Sequence, residues 1–98
     1  MVNLYHYSVP PKNSESITPL FKNSHLTINR IVSNQLVEGE WYDQDEDEWL
    51  VLLKGEASLE MQTHLVTLTE GDTLFIAAHQ RHRVMKTTCD TLWLTVHA

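Results

Sequence analysis

A chain of 98 residues, 42% of them hydrophobic, is sized for one domain with a modest core. Seven Lys and Arg against 13 Asp and Glu leave a formal charge of −6, and with no basic stripe to displace counterions the chain is a poor partner for nucleic acid or an anionic membrane. No apolar run reaches membrane-spanning length and Met1-Val2-Asn3-Leu4 carries no charged or apolar leader pattern, so a cytoplasmic protein is expected.

Residues 1–24 read as a polar lead with Pro10, Pro11 and Pro19, irregular or holding one short helical turn capped by Ser14 or Ser16 and limited by Pro19. Residues 25–98 read as the folded barrel. From His25 the period becomes two: Leu26, Ile28, Arg30 and Val32 share one strand face, the apparent inward one. A second strand is expected at 35–43. Trp49–Lys54 is apolar until its last residue, as in a strand covered on both faces. Gly55 ends it, and Ala57, Leu59 and Met61 then alternate with polar residues. Leu65–Leu68 is a short strand, Glu70-Gly71-Asp72 a turn, and Thr73–Ala77, Arg81–Thr87 and Thr91–His97 complete the set. About eight short strands with closely spaced turns make an all-β sandwich or closed barrel.

The single Cys89 has no intrachain partner, and its place beside Asp90 in an expected turn is a poor setting for a reactive thiolate. Asp43-x-Asp45-x-Asp47 begins like a calcium loop, but Glu48 stands where glycine is needed and Lys54 where the bidentate glutamate belongs. The plain reading of this acidic run is a solvated loop.

Two blocks carry chemistry. The first is Glu48-x6-Gly55; the second is Gly71-x5-Ala77-x-His79-x2-His82. They resemble the cupin family, whose motifs run G-x5-H-x-H-x3–4-E-x6-G and G-x5-P-x-G-x2-H-x3-N. Ala77 stands for the proline, His79 for the second glycine and Lys86 for the asparagine. The resemblance spans Ile28 to Val96, and Trp41–Glu48 is similar to a recurrent group of small bacterial single-domain cupins. It implies a double-stranded β-helix, the jelly-roll cupin barrel. It leaves function open, because this fold hosts enzymes, sensors and storage proteins.

In the family the two first-motif histidines, the glutamate and the second-motif histidine hold one divalent metal. Here a spacer of four puts Asp43 at the second histidine place and Trp41 at the first; a spacer of three puts Gln44 and Tyr42 there. The metal set carried forward is Asp43, Glu48, His79 and His82, with His79 swinging inward from a turn, for iron, manganese, zinc or nickel. The alternative for His79 is an exposed loop residue, and for His82 a hydrogen-bonded core residue. Trp41, Tyr42 and Arg30 are candidates for the ligand pocket. Arg30 either fixes an anionic group there or forms a structural ion pair with Glu38, Glu40 or Glu48. Trp93 either lies exposed at a homodimer interface or lines the cavity. Three readings follow. The leading one is a metal-binding barrel holding a small polar ligand, with or without catalysis. The others are a metal-free ligand-binding cupin and a structural homodimer.

Overall fold

The computed structural model describes residues 1–98, and every regular element in it is a strand. In chain order these are β1 (Ser14–Lys22), β2 (Thr27–Asn34), β3 (Glu48–Lys54), β4 (Ala57–Met61), β5 (Leu65–Leu68), β6 (Thr73–Ile76), β7 (His82–Thr87) and β8 (Thr91–His97). They form two antiparallel sheets, ordered β1-β2-β8-β3-β6 and β5-β4-β7. Leu50, Leu52, Leu59, Met61, Ile76 and Trp93 are buried members of the core cluster between the sheets. The alternation of β4 places Ala57, Leu59 and Met61 there and leaves Ser58 and Glu60 half-buried. Gly55 and Gly71 both take positive φ, and a Cβ at Gly55 would lie 2.7 Å from the Thr88 hydroxyl oxygen, so the motif glycines are backbone requirements.

Two expectations are corrected. The lead is not irregular throughout, and no helix forms in it: Ser14–Lys22 is an edge strand on β2. Pro19 is tolerated there because it sits on an edge beside a register shift. The strand expected at 35–43 does not form. Gln35 and Glu38 adopt left-handed φ, and the segment meets β7 through the isolated bridges Val37–Lys86 and Tyr42–His82 and through scattered hydrogen bonds such as Glu38 N–H to Met85 and Gly39 N–H to Val84, rather than as a regular ladder.

The two faces of β2 are also exchanged relative to expectation. Asn29 and Ile31 face the interior, while Arg30 and Val32 lie on the outer face beneath the N-terminal residues. Arg30 Nη1 donates to the carbonyl oxygens of Asn3, Leu4 and His6 at 3.2, 3.3 and 3.1 Å, and its guanidinium lies 5.7 Å from the centre of the Tyr7 ring. Tyr7 donates its hydroxyl to Asp90, and Asn34 donates to the Pro10 carbonyl. Residues 3–10 thus form a strap over the outer side of β2, where Val32 and its ladder partner Leu92 are buried.

Beyond the strap, one row of side chains crosses all five strands on the outer face: Phe21, Ile28, Val96, Trp49 and Phe75 in successive ladder pairs. Phe21, Trp49 and Phe75 are exposed.

Arg30→Met removes three charge-assisted hydrogen bonds and should lower stability by about 2 kcal/mol. For a domain of this size that is a melting temperature lower by roughly 8–16 °C. Hydrogen exchange should rise at residues 3–7 and stay unchanged in β4, which separates loss of the strap from general unfolding.

Candidate functional site

Between the sheets lies a cavity of about 230 Å³ that opens to solvent. Its walls are apolar, built partly from Leu50, Leu59, Val84 and Trp93. Its polar groups come from separate strands and one loop. Glu48 opens β3 and points inward in phase with Leu50 and Leu52. His97 lies opposite it across the β3–β8 ladder, which is why the two meet. His82 opens β7 and exchanges two backbone hydrogen bonds with Tyr42, at 2.8 and 3.2 Å. That bridge lays the Tyr42 ring against the His82 ring, with centroids 5.8 Å apart.

Glu48 is the centre of the polar set. The Gln44 amide donates to Glu48 Oε1 at 2.9 Å and lies 3.4 Å from His82 Nε2. His82 Nε2 is 3.6 Å from Glu48 Oε1, and His97 Nε2 is 3.8 Å from Glu48 Oε2. Both imidazoles face the carboxylate at distances too long for a direct hydrogen bond. His82 Nδ1 is 2.9 Å from the Gln80 carbonyl, a contact that requires Nδ1 to carry the hydrogen and leaves Nε2 of the neutral ring as an acceptor toward the cavity. Thr95 also lines the cavity, is 1% exposed, and its hydroxyl has no hydrogen-bond partner.

The opposite side holds a second carboxylate, Glu15 of β1. The Trp93 indole donates to Ser33 at 3.1 Å, and the Ser33 hydroxyl donates to Glu15 at 3.4 Å. Burial pushes the Glu15 carboxyl above its ordinary value, with hydrogen bonds from Ser33 and Tyr42 opposing the shift. Burial and the nearby carboxylates of Glu15 and Glu40 push the Tyr42 phenol up as well.

The four residues expected to share a metal do not converge. Glu48 and His82 are together in the cavity, whereas Asp43 and His79 pair on the surface, with His79 Nδ1 2.8 Å from Asp43 and Nε2 3.6 Å from Asp45. The hydrogen bond that the His79 ring donates to Asp43 holds the imidazole above its ordinary value. His79 has φ of 64°, so the place filled by glycine in the motif is a left-handed one, and the turn directs its ring outward. The backbone instead does the positioning: His79 N–H donates to the Gln44 carbonyl at 2.7 Å, and Ala78 N–H donates to Asp47 at 2.8 Å. Of the pocket candidates, Tyr42 lines the cavity and Trp41 and Arg30 do not. Trp41 is clasped between the Arg81 and Arg83 guanidinium groups, 4.9 and 4.8 Å from its ring centre. Arg30 holds the strap through backbone carbonyls rather than any of the expected carboxylates. Trp93 is 3% exposed and lines the cavity, so it offers no interface. The sequence reading missed His97 and Glu15. His97 was detectable as the residue in phase with Trp93 and Thr95; Glu15 sat in a segment with no strand signal.

The raised value of Glu15 fixes a sign. Its protonated form favours the fold, so its contribution is full below the ordinary carboxyl value of 4.5 and is lost as pH rises through the raised value. Glu15→Gln, permanently uncharged, should therefore melt at a higher temperature than wild type near pH 7.5, and the difference should shrink toward pH 4. Thermal melts of both proteins across that range check the sign.

With the spacer of three, the motif positions fall on Tyr42, Gln44, Glu48 and His82, and all four line the cavity. No curated protein matches the sequence. Among solved structures, a candidate mannose-6-phosphate isomerase from Ralstonia eutropha JMP134 is 37% identical, with a TM-score of 0.88 over 100% of this chain and 96% of that one. KdgF from Halomonas sp. is 14% identical, with a TM-score of 0.81 over 98% and 90% of the two chains. An RmlC-like cupin from Shewanella frigidimarina NCIMB 400 is 15% identical, with a TM-score of 0.81 over 99% and 86%. The last two likenesses concern the fold alone. The Cupin domain family matches residues 31–97, more than half the chain, so this protein belongs to the cupin family.

Proposed function

We propose that this cupin binds a small polar molecule in its barrel cavity, without a resident metal, against Glu48, His82 and His97. The observation that carries the reading is the unfilled hydrogen-bonding around Glu48: two imidazoles face its two oxygens at 3.6 and 3.8 Å, and the neighbouring Thr95 hydroxyl is buried without a partner. A ligand hydroxyl or amine between Glu48 and an imidazole would supply the bond that neither makes to the other. Bound there, a C–H or O–H would face His82 Nε2 as an acceptor, with Glu48 oriented by Gln44 beside it. That pair is equipped to move a proton, the chemistry an isomerase of the kind described for the Ralstonia protein requires.

The donor set fits the family metal poorly. Two of the four positions hold Tyr42 and Gln44 in place of imidazoles, and the Gln44 amide nitrogen lies between Glu48 and His82. No three carboxylate, imidazole or thiol groups are placed to share an ion. The second reading is a divalent ion on Glu48, His82 and His97, favoured by the two imidazoles that face one carboxylate. It needs these three groups to close on the ion from their present positions, and the Gln44 amide to turn its oxygen inward.

Elemental mass spectrometry on protein purified without a tag separates the two. The expected result is substoichiometric metal, a melting temperature unmoved by chelator, and fragment-induced shifts of the Trp93 indole resonance that disappear in Glu48→Gln. Near-stoichiometric metal, lost in His82→Ala and His97→Ala alike, would establish the second reading instead.

A homodimer also belongs to this proposal, with a second copy seated on the apolar row Phe21–Ile28–Val96–Trp49–Phe75. Trp49→Glu combined with Phe75→Glu should convert a dimer to a monomer in light scattering while leaving the cavity intact. A wild-type monomer at high micromolar concentration would remove the dimer from the proposal.

A further inference from the structure

The charge of the cavity is one-sided. None of the seven Lys and Arg residues lines it. Arg30 lies on the opposite face of β2 and bonds to strap carbonyls. Lys54 pairs with Asp90, Arg83 with Glu60, and Arg81 lies against Trp41 outside. Lys86 lines a separate groove, and Lys12 and Lys22 are exposed. Against this, two carboxylates enter from different strands, Glu15 from β1 and Glu48 from β3, and two aromatic residues, Tyr42 and Trp93, complete the wall between them.

This arrangement is hostile to a phosphate or carboxylate. A buried anion needs Arg, Lys, protonated His, a metal or a cluster of backbone N–H groups; here the two imidazoles are the only such side chains, and both are already turned toward Glu48. The same arrangement suits an ammonium group, which two carboxylates neutralise and aromatic faces attract. Thr95 adds a buried hydroxyl without a partner to the same wall, and none of these features offers a positive charge. We infer that the cavity takes a small hydroxylated amine, of the amino-sugar or amino-alcohol class, and rejects phosphorylated sugars. This rests on the cavity being a ligand site, as proposed above. It also separates this chain from the substrate in the Ralstonia protein's description, despite 37% identity.

The test uses three hexoses of similar shape, glucosamine, glucose and mannose 6-phosphate, titrated into the full chain near pH 7 by calorimetry. The Trp93 indole resonance reports whether binding is in the cavity. Glucosamine should bind about tenfold or more tighter than glucose, the margin of one charge-assisted hydrogen bond. Mannose 6-phosphate should give neither heat nor an indole shift. Glu15→Gln and Glu48→Gln should each reduce the preference for glucosamine over glucose, with the folded state of both variants checked by thermal melts. If glucose or mannose 6-phosphate shifts the Trp93 indole and binds as tightly as glucosamine, the amine inference is overturned while the cavity stands as a ligand site. If none of the three moves that resonance, the inference is overturned and the ligand-site reading loses its support with it.

Discussion

A carboxylate withdrawn from water must be met by donors, and Glu48 sets this requirement at the head of β3, where it is 7% exposed. The neighbouring structure answers it by delivering one neutral amide. Gln44 reaches Glu48 because the loop that carries it is fixed from outside. His79 and Ala78 of the β6–β7 turn hold the loop by donating their backbone N–H groups to the Gln44 carbonyl and the Asp47 carboxylate, and Asp47 exchanges two backbone hydrogen bonds with Ala98, just past β8. Asp43 then fastens the same turn through the His79 ring. The acidic run is therefore a clamp whose product is the position of one glutamine, and its charges stay in solvent where they cost little. Removing Gln44 would take away the side-chain hydrogen bond the carboxylate accepts and leave two imidazoles beyond hydrogen-bonding reach.

The second constraint is on the other side of the same sheet. A five-stranded sheet with a cavity against one face needs cover on the other, and this chain supplies it with an irregular strap rather than a helix or a further sheet. Irregular backbone over an apolar face has carbonyls to satisfy. Arg30 satisfies three of them from the middle of β2, which is why a cation can be buried there with no carboxylate partner. The strap covers Val32 and Leu92 and leaves the row ending in Trp49 and Phe75 open.

How much of this was legible follows from parity. Strand positions alternate between faces, so an error of one residue exchanges inside for outside. The offsets from Gly55 and Gly71 single out Glu48 and His82, which both face the cavity, because glycine turns with positive φ fix the register on either side. The first-motif spacer had no such anchor, and choosing four instead of three selected Asp43, which faces solvent, over Gln44, which faces the cavity. On β2 and β8 the more apolar face is the outer one: Ile28, Val32, Leu92, Leu94 and Val96 lie beneath the strap or in the open row, and Asn29, Thr95 and His97 look inward. A rule that puts apolar residues inside fails for strands whose inward positions also carry the polar groups of a cavity. The jelly roll survived these errors because its strand count and turns depend on periodicity, which is the same for either face.

The exchange of imidazoles for Tyr42 and Gln44 also changes what the site can be asked to do. Imidazole pairs present lone pairs, and a metal is what turns lone pairs into a charge sink. A tyrosine hydroxyl and a glutamine amide can each both donate and accept, so they can meet a ligand directly. Gln44 donates to Glu48 as it stands, and a half-turn of its amide would present the carbonyl to the same space. The orientation is thus set by what lies between Glu48 and His82: nothing, or another acceptor, favours the N–H; a cation or a donor favours the carbonyl. An ammonium or hydroxyl donor would draw the same half-turn as a metal ion. The family's metal position and a directly bound amine are, at this residue, two occupants of one electrostatic demand. What distinguishes them lies on the far wall, where Glu15 places a second carboxylate that the family motif does not contain.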